Sequence, residues 1–296
     1  MYFRKLIFIK LATFIFSILI ISLVTLFFIH NFEKISFYEY DILLNDRMHI
    51  ENNESQVIII GDSSALNGVM PNKMQNLIQY ETINLALYAH NGLKSYEILL
   101  NSYLKNNKLP KTVILYFSLL SPNSWQQVTY EKSILIYRYA EPREKIMYII
   151  KHPFSLVLIT NRAIRASLRF MLTGKEKQTA FSNNLKNKLY EKKGFIDSKL
   201  SARSNLCNDF KVEYLVNNIK EDIDRFKNKF KNIELKVYLA PLIKCNYKYE
   251  KYTDIYKEII DNEVYYIDEK YFNDFSHLSP RGAELNTDQI ARWFLQ

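Results

Sequence analysis

A serine at the carboxyl end of a buried strand is a candidate nucleophile. Ser63 stands in Gly61-Asp62-Ser63-Ser64, directly after the apolar run 56–60 (QVIII). Open α/β sheets place their ligands at the carboxyl ends of strands. Gly61 permits a tight turn there, and the first turn of a following helix offers backbone N–H groups to a developing oxyanion. A serine hydroxyl is a weak nucleophile until a base takes its proton. A base and an acid to orient it stand together near the other end, in Asp274-Phe275-Ser276-His277. His277 would accept the Ser63 proton, and Asp274 would hold the imidazole in the right tautomer. Each half alone has a plainer reading, as a turn or a helix cap. In this order, on either side of four strand signals, they point to chemistry through an acyl-serine.

The elements that must position these residues are legible as apolar runs. Residues 56–60, 82–87 (TINLAL), 112–117 (TVILYF), 234–240 (ELKVYLA, stopped by Pro241) and 264–267 (VYYI) are predicted strands. Between them, Leu93, Tyr96, Leu99, Leu100, Tyr103 and Leu104 recur at helical spacing. So do Leu215, Ile219, Ile223, Phe226 and Phe230, with Asn208 or Asp209 as N-cap. Ser279-Pro280 opens a last helix. Strands alternating with helices imply a parallel sheet covered on both faces. Residues 31–55 read as a connector onto the body at 56–296. Residues 119–204 break the rhythm and read as a helical insertion, with 174–204 as an exposed loop or solvated helix. Lys175, Lys177, Lys192 and Lys193 mark a solvated basic face or a contact with anionic lipid or glycan.

The 296-residue chain is 48% hydrophobic and 24% charged, a folded body and not a disordered one. Its net charge of +9 admits nucleic acid, anionic lipid or an acidic polymer as partner, but no nucleic-acid motif accompanies it. Residues 11–29 carry no charge, a length just sufficient to cross a bilayer. Arg4, Lys5 and Lys10 precede them, which places residues 1–30 as cytoplasmic N-terminus and transmembrane anchor, with the body across the membrane. A cleaved signal peptide competes, but 27–30 offers no small-residue cleavage site. A body outside the cytoplasm disfavours nucleic acid as partner.

Gly61-Asp62-Ser63 after a strand, with Asp274-x-x-His277 before the last helix, resembles the first and last sequence blocks of the SGNH/GDSL hydrolase superfamily. The resemblance covers 56–296, broken by the insertion. It implies a flavodoxin-like three-layer α/β/α sandwich with a five-stranded parallel sheet, and Ser63, His277 and Asp274 as nucleophile, base and orienting acid. The oxyanion hole implied is the N–H of Ser63, the N–H of Gly92 as equivalent of the family's second block, and Asn123. The third block, normally Gly-x-Asn-Asp, reads Ser118-Leu119-Leu120-Ser121-Pro122-Asn123 here, so Asn123 falls three positions late. With the N-terminal anchor, the wording Gly-Asp-Ser-Ser-Ala-Leu-Asn-Gly and the insertion, the chain is similar to the membrane-anchored bacterial branch that includes DltD-like and alginate-acetylation-like proteins. That branch implies O-acyl transfer or ester hydrolysis on an exported or cell-envelope polysaccharide, beside a membrane-bound O-acyltransferase. Hydrolysis and transfer both stay open, and so does a non-catalytic anchored subunit that binds a glycan or docks an acyltransferase.

No metal-ligand cluster, P-loop or dinucleotide turn is present, and no cofactor is expected. His90 could line the site or serve as a polar loop residue. Cys207 and Cys245 have no metal spacing, and either pair outside the cytoplasm or stay as buried thiols.

Overall fold

The computed structural model describes residues 39–88, 91–119, 121–125, 127–196, 219–244 and 256–296, with isolated positions before them. The stretch 11–29 lies outside the described residues except at Thr13, Phe16, Ser17 and Ile20, and so do Cys207, Cys245, His90, Leu215 and the cap candidates Asn208 and Asp209. Among the described residues no helix is long and apolar enough to cross a membrane.

The architecture is α/β around a four-stranded parallel sheet in the order β2-β1-β3-β4. β1 is Val57–Gly61, β2 Thr82–Asn84, β3 Thr112–Phe117 and β4 Glu234–Leu239. β1 and β3 are buried at every residue, which is why they read as unbroken apolar runs. The register aligns Gly61 with Tyr116 and Phe117 with Leu239, so the carboxyl ends of β1, β3 and β4 lie level. Leu87 N–H donates to the Gly61 carbonyl at 3.1 Å, carrying the 82–87 run alongside β1 past the end of its ladder.

The sheet departs from the five strands expected. The run 264–267 contributes Tyr266–Ile267 (β6), which pairs in parallel with Leu242–Ile243 (β5) in a separate two-stranded ladder. The reason lies at the free edge of β4. Val237 N–H donates to the Asp261 carboxylate at 2.6 Å and Leu239 N–H to the Asn262 side chain at 2.9 Å. Side chains thus take the edge donors that a fifth strand would need, and Pro241, lacking an N–H, separates β4 from β5.

The chain forms two compact units. One comprises 43–127 and 184–296, the other 1–42 and 128–183. The helical excursion is therefore narrower than 119–204: residues 119–127 and 184–196 belong with the sheet. In that sheet-containing unit, α2 (Ser63–Gly68) and α3 (Pro71–Ile78) pack with the last helix, Pro280–Phe294. α4 (Leu93–Asn106) packs with Ile219–Lys229. Tyr96, Leu99, Leu100 and Tyr103 form the buried stripe of α4, as their spacing requires. Between β3 and β4 the described elements are all helical: α5 (Ser121–Ser124), α6 (Tyr130–Tyr139), α7 (Pro142–Lys151), α8 (Phe154–Thr173), α9 (Lys175–Glu191) and, as α10, Ile219–Lys229. The last helix is α11.

The supposed connector also contains structure. Glu39–Met48 forms α1, with Leu43 and Leu44 fully buried. Arg47 is only 2% exposed, donates to the Gly194 carbonyl at 2.9 Å and pairs with Asp46. Burial pulls its pKa down to about 10, against the pull of Asp46 in the other direction.

Gly61 is fixed by contact. A Cβ there would lie 2.1 Å from the Tyr116 carbonyl oxygen and 2.9 Å from the Ala65 Cβ. Backbone on a central strand cannot yield by that much, so Gly61→Ala should cost on the order of 3 kcal/mol. The check is a urea titration: the midpoint should fall with the slope unchanged.

Candidate active site

β1 delivers the chain to Gly61, and Asp62 caps α2 behind it, its Oδ1 accepting the Ser64 N–H at 2.8 Å. The Asp62 carbonyl takes the N–H groups of Ala65 and Leu66. The Ser63 N–H stands in this first turn, with no acceptor among the described residues. The far end of the six-residue helix is held by two asparagines. Asn84 Nδ2 donates to the carbonyls of Ala65 at 2.8 Å and Val69 at 3.3 Å, and Asn286 Nδ2 to that of Gly68 at 2.7 Å. Ser63 is thereby set on a turn anchored at both ends.

Asp274 and His277 arrive on the loop before α11. Asn273 N–H donates to the His277 carbonyl at 2.8 Å, and Ser279 N–H to that of Tyr271 at 2.8 Å, closing residues 271–279 on themselves. Within this loop Asp274 Oδ1 accepts the N–H groups of Ser276 and His277, each at 2.9 Å. That Asx-type turn fixes the carboxylate to the backbone of the residue that it orients. Ser279 then caps α11 through the Gly282 N–H at 3.2 Å, with Pro280 in the first turn.

Ser63, His277 and Asp274 come together across 214 residues of sequence separation. His277 Nε2 lies 2.7 Å from Ser63 Oγ. His277 Nδ1 lies 2.7 Å from Asp274 Oδ2 and 2.9 Å from Oδ1. With the Nδ1 proton donated to the carboxylate, Nε2 is left as acceptor for the Ser63 hydroxyl. Burial opposes the charged form of Asp274, but the His277 hydrogen bond and charge and the two backbone donors outweigh it and hold the carboxyl down at about 2. Burial likewise disfavours the imidazolium. The hydrogen bond and charge of Asp274, with the charge of Asp62, more than offset it, and the His277 pKa is raised.

A working base must be neutral. Activity that needs His277 should therefore rise with pH through a midpoint above the ordinary histidine value of about 6.5. A pH profile of kcat/KM for any turned-over ester checks this.

Asp62 is a second carboxylate whose charge acts on the histidine, and two serines bond to it. It is 1% exposed, and besides Ser64 it accepts the Ser121 hydroxyl on Oδ2. Ser121 Oγ in turn accepts the Ser118 N–H at 3.0 Å. This buried chain ties the turn after β1 to the turn after β3, and sequence reasoning missed it. Its one local signal was an aspartate between a glycine and two serines, which a helix cap already explained. Asn84 could have been noticed as an amide inside an otherwise apolar run.

The remaining site candidates divide. Gly92 is the N-cap of α4 with φ of +77°, a left-handed conformation that favours glycine, and a Cβ there would lie 3.1 Å from the Trp125 carbonyl oxygen. Leu87, five residues before Gly92, lies beside Gly61. Asn123 falls on α5, and its side chain lies outside the described residues. Lys193, read as a basic-face residue, instead bonds the Glu81 carboxylate at 2.6 Å. Among the described residues no cluster of His, Cys, Asp and Glu could hold a metal ion. A cavity of about 490 Å³ lies at the amino ends of β1 and β2, lined by Arg47, Asn53, Glu81 and Gly194 among others, away from the triad.

No protein-family model, no curated protein and no solved structure matches this chain.

Proposed function

We propose that this chain is a membrane-anchored serine enzyme of the SGNH/GDSL type, which transfers or hydrolyses an O-linked acyl group, most simply acetyl, on an exported or cell-envelope polysaccharide. The observation that carries the reading is the continuous path from Ser63 Oγ through the His277 ring to the Asp274 carboxylate, with 2.7 Å at each step. A flavodoxin-like three-layer arrangement is the fold that goes with it. The level ends of β1, β3 and β4, which bring the turns after β1 and β3 together, support that fold. The charge-free run 11–29 behind Arg4, Lys5 and Lys10 supports an anchor with the body outside the cytoplasm.

In this reading Ser63 Oγ attacks the acyl carbonyl as its proton passes to His277 Nε2. The N–H groups of Ser63 and Gly92, with Asn123, receive the negative oxygen of the tetrahedral intermediate. Collapse expels the donor alcohol, which takes the proton back from His277 and leaves acyl-Ser63. A sugar hydroxyl or water then attacks the acyl carbon, again giving its proton to His277, and Ser63 leaves as the hydroxyl. Asp274 stabilises the imidazolium at both stages without taking the proton itself. A membrane-bound O-acyltransferase is a fitting partner, as source of the acyl group.

Turnover of p-nitrophenyl acetate tests this. A burst of about one equivalent of nitrophenolate per chain should precede slower steady release, with acetyl moving to an oligosaccharide acceptor when one is supplied. Equal release by wild type and His277→Ala would overturn the reading.

A further inference from the structure

Helices α7 and α8 show water an unusual amount of hydrocarbon. Ile150 is 70% exposed, Phe154 80% and Leu172 86%, with Ile146, Met147, Val157, Leu158, Ile164 and Leu168 also exposed. On α8 the exposed positions 154, 157, 158, 164, 168 and 172 fall along one stripe at helical spacing, while Ser155, Leu156 and Ile159 on the other side are buried in the fold. Contiguous apolar surface of this kind marks a contact with something else.

The charges flanking the stripe indicate what. From Lys145 to Thr173 the sequence contains no Asp or Glu and five Lys or Arg, at 145, 151, 162, 165 and 169. The one acid on the two helices is Glu144, in the first turn of α7. A hydrocarbon stripe with cations in such excess is the pattern of a helix lying in an anionic bilayer interface, where the apolar side sinks below the headgroups and long basic side chains reach phosphate. Chain continuity agrees. In this same unit Tyr130 donates to the Asp41 carboxylate of α1 at 2.9 Å, and Tyr40 of α1 donates to the Glu131 carbonyl at 3.0 Å. Only residues 30–38 separate α1 from the apolar stretch ending at Ile29, and nine residues reach at most about 30 Å.

We infer that the exposed face of α7 and α8 is a second membrane contact, which docks the helical unit on an anionic lipid surface; the inference rests on the membrane-anchored reading above. The stripe then covers hydrocarbon that would otherwise face water, and the basic flank makes the docking sensitive to lipid charge and to salt.

The test uses the full chain reconstituted in vesicles, with Cys207 and Cys245 replaced by Ser. A bimane label is placed at Ile150→Cys, Phe154→Cys or Leu172→Cys, and the lipid carries a nitroxide near the headgroup. These are exposed positions, and circular dichroism of each variant checks folding. In bilayers with about one-third phosphatidylglycerol, roughly half or more of the fluorescence should be lost, as expected for an interfacial depth. That loss should fall about twofold in phosphatidylcholine alone, at about 0.5 M KCl, or with Lys151→Glu and Arg165→Glu combined. Labels unquenched by lipid in the anionic bilayer overturn the inference. Such labels that are also shielded from aqueous iodide would show that a protein partner or second copy covers the face instead. Extraction by alkaline carbonate is scored separately: release of the chain defeats the anchor, while the quenching still decides the docking face.

Discussion

Ser63→Ala should lower kcat for ester cleavage or acyl transfer by roughly 10⁴- to 10⁶-fold, with KM little changed. In the proposed mechanism the hydroxyl is the only group of the triad that forms a bond to the substrate, and water entering the vacated space would lack both its position and its 2.7 Å contact with His277. His277→Ala should reach a similar floor, because an unassisted serine is no better placed than an absent one. The double variant should be no worse than either single one, since the two residues act as a unit. Steady-state rates for the three variants check this. Additive losses would separate Ser63 from His277 functionally, despite their contact.

Asp274→Asn should be nearly as damaging, by about 10⁴-fold in kcat. An amide can donate to Nδ1, which would leave the ring with its proton on Nε2 and nothing to accept the Ser63 hydroxyl. The same substitution removes the hydrogen bond and the charge that raise the His277 pKa, so the acid limb of any residual activity should move to lower pH. Stability carries a second signature. The folded-state pKa of Asp274 lies at about 2, below its unfolded value. Its ionised form therefore stabilises the fold above about pH 4, and that contribution is lost as pH falls through about 2. His277 has the opposite sign: its raised pKa adds stability below about pH 6.5, and this disappears as pH rises through the folded value. Urea midpoints of wild type and Asp274→Asn should therefore differ near pH 5 and converge towards pH 2.

What could be read from the residue order follows from how local each determinant is. β1 and β3 are buried on both faces, so their hydrophobicity alone marks them. Asp274 and His277 were legible because their partnership is three residues long and ends at a capped helix. The fifth strand misled because VYYI has strand composition. Its place beside β4 was taken by the Asp261 and Asn262 side chains, a substitution that no periodicity reveals. α1 was hidden for a related reason. Its segment EYDILLNDRM is polar on average, and Arg47 is accommodated inside by Asp46 together with a carbonyl 147 residues away. The Asp62–Ser121–Ser118 chain likewise joins turns that only the sheet brings together.

The most direct measurement is covalent trapping with a fluorophosphonate probe, followed by peptide mapping. Phosphonylation needs a serine oxygen activated by its base, and it is independent of the acyl donor and of the glycan. The expected result is one labelled peptide, carrying the adduct on Ser63, with labelling lost in Ser63→Ala and strongly slowed in His277→Ala. Wild-type protein that stays unlabelled, or label that persists undiminished in Ser63→Ala, would contradict the assignment of Ser63 as nucleophile.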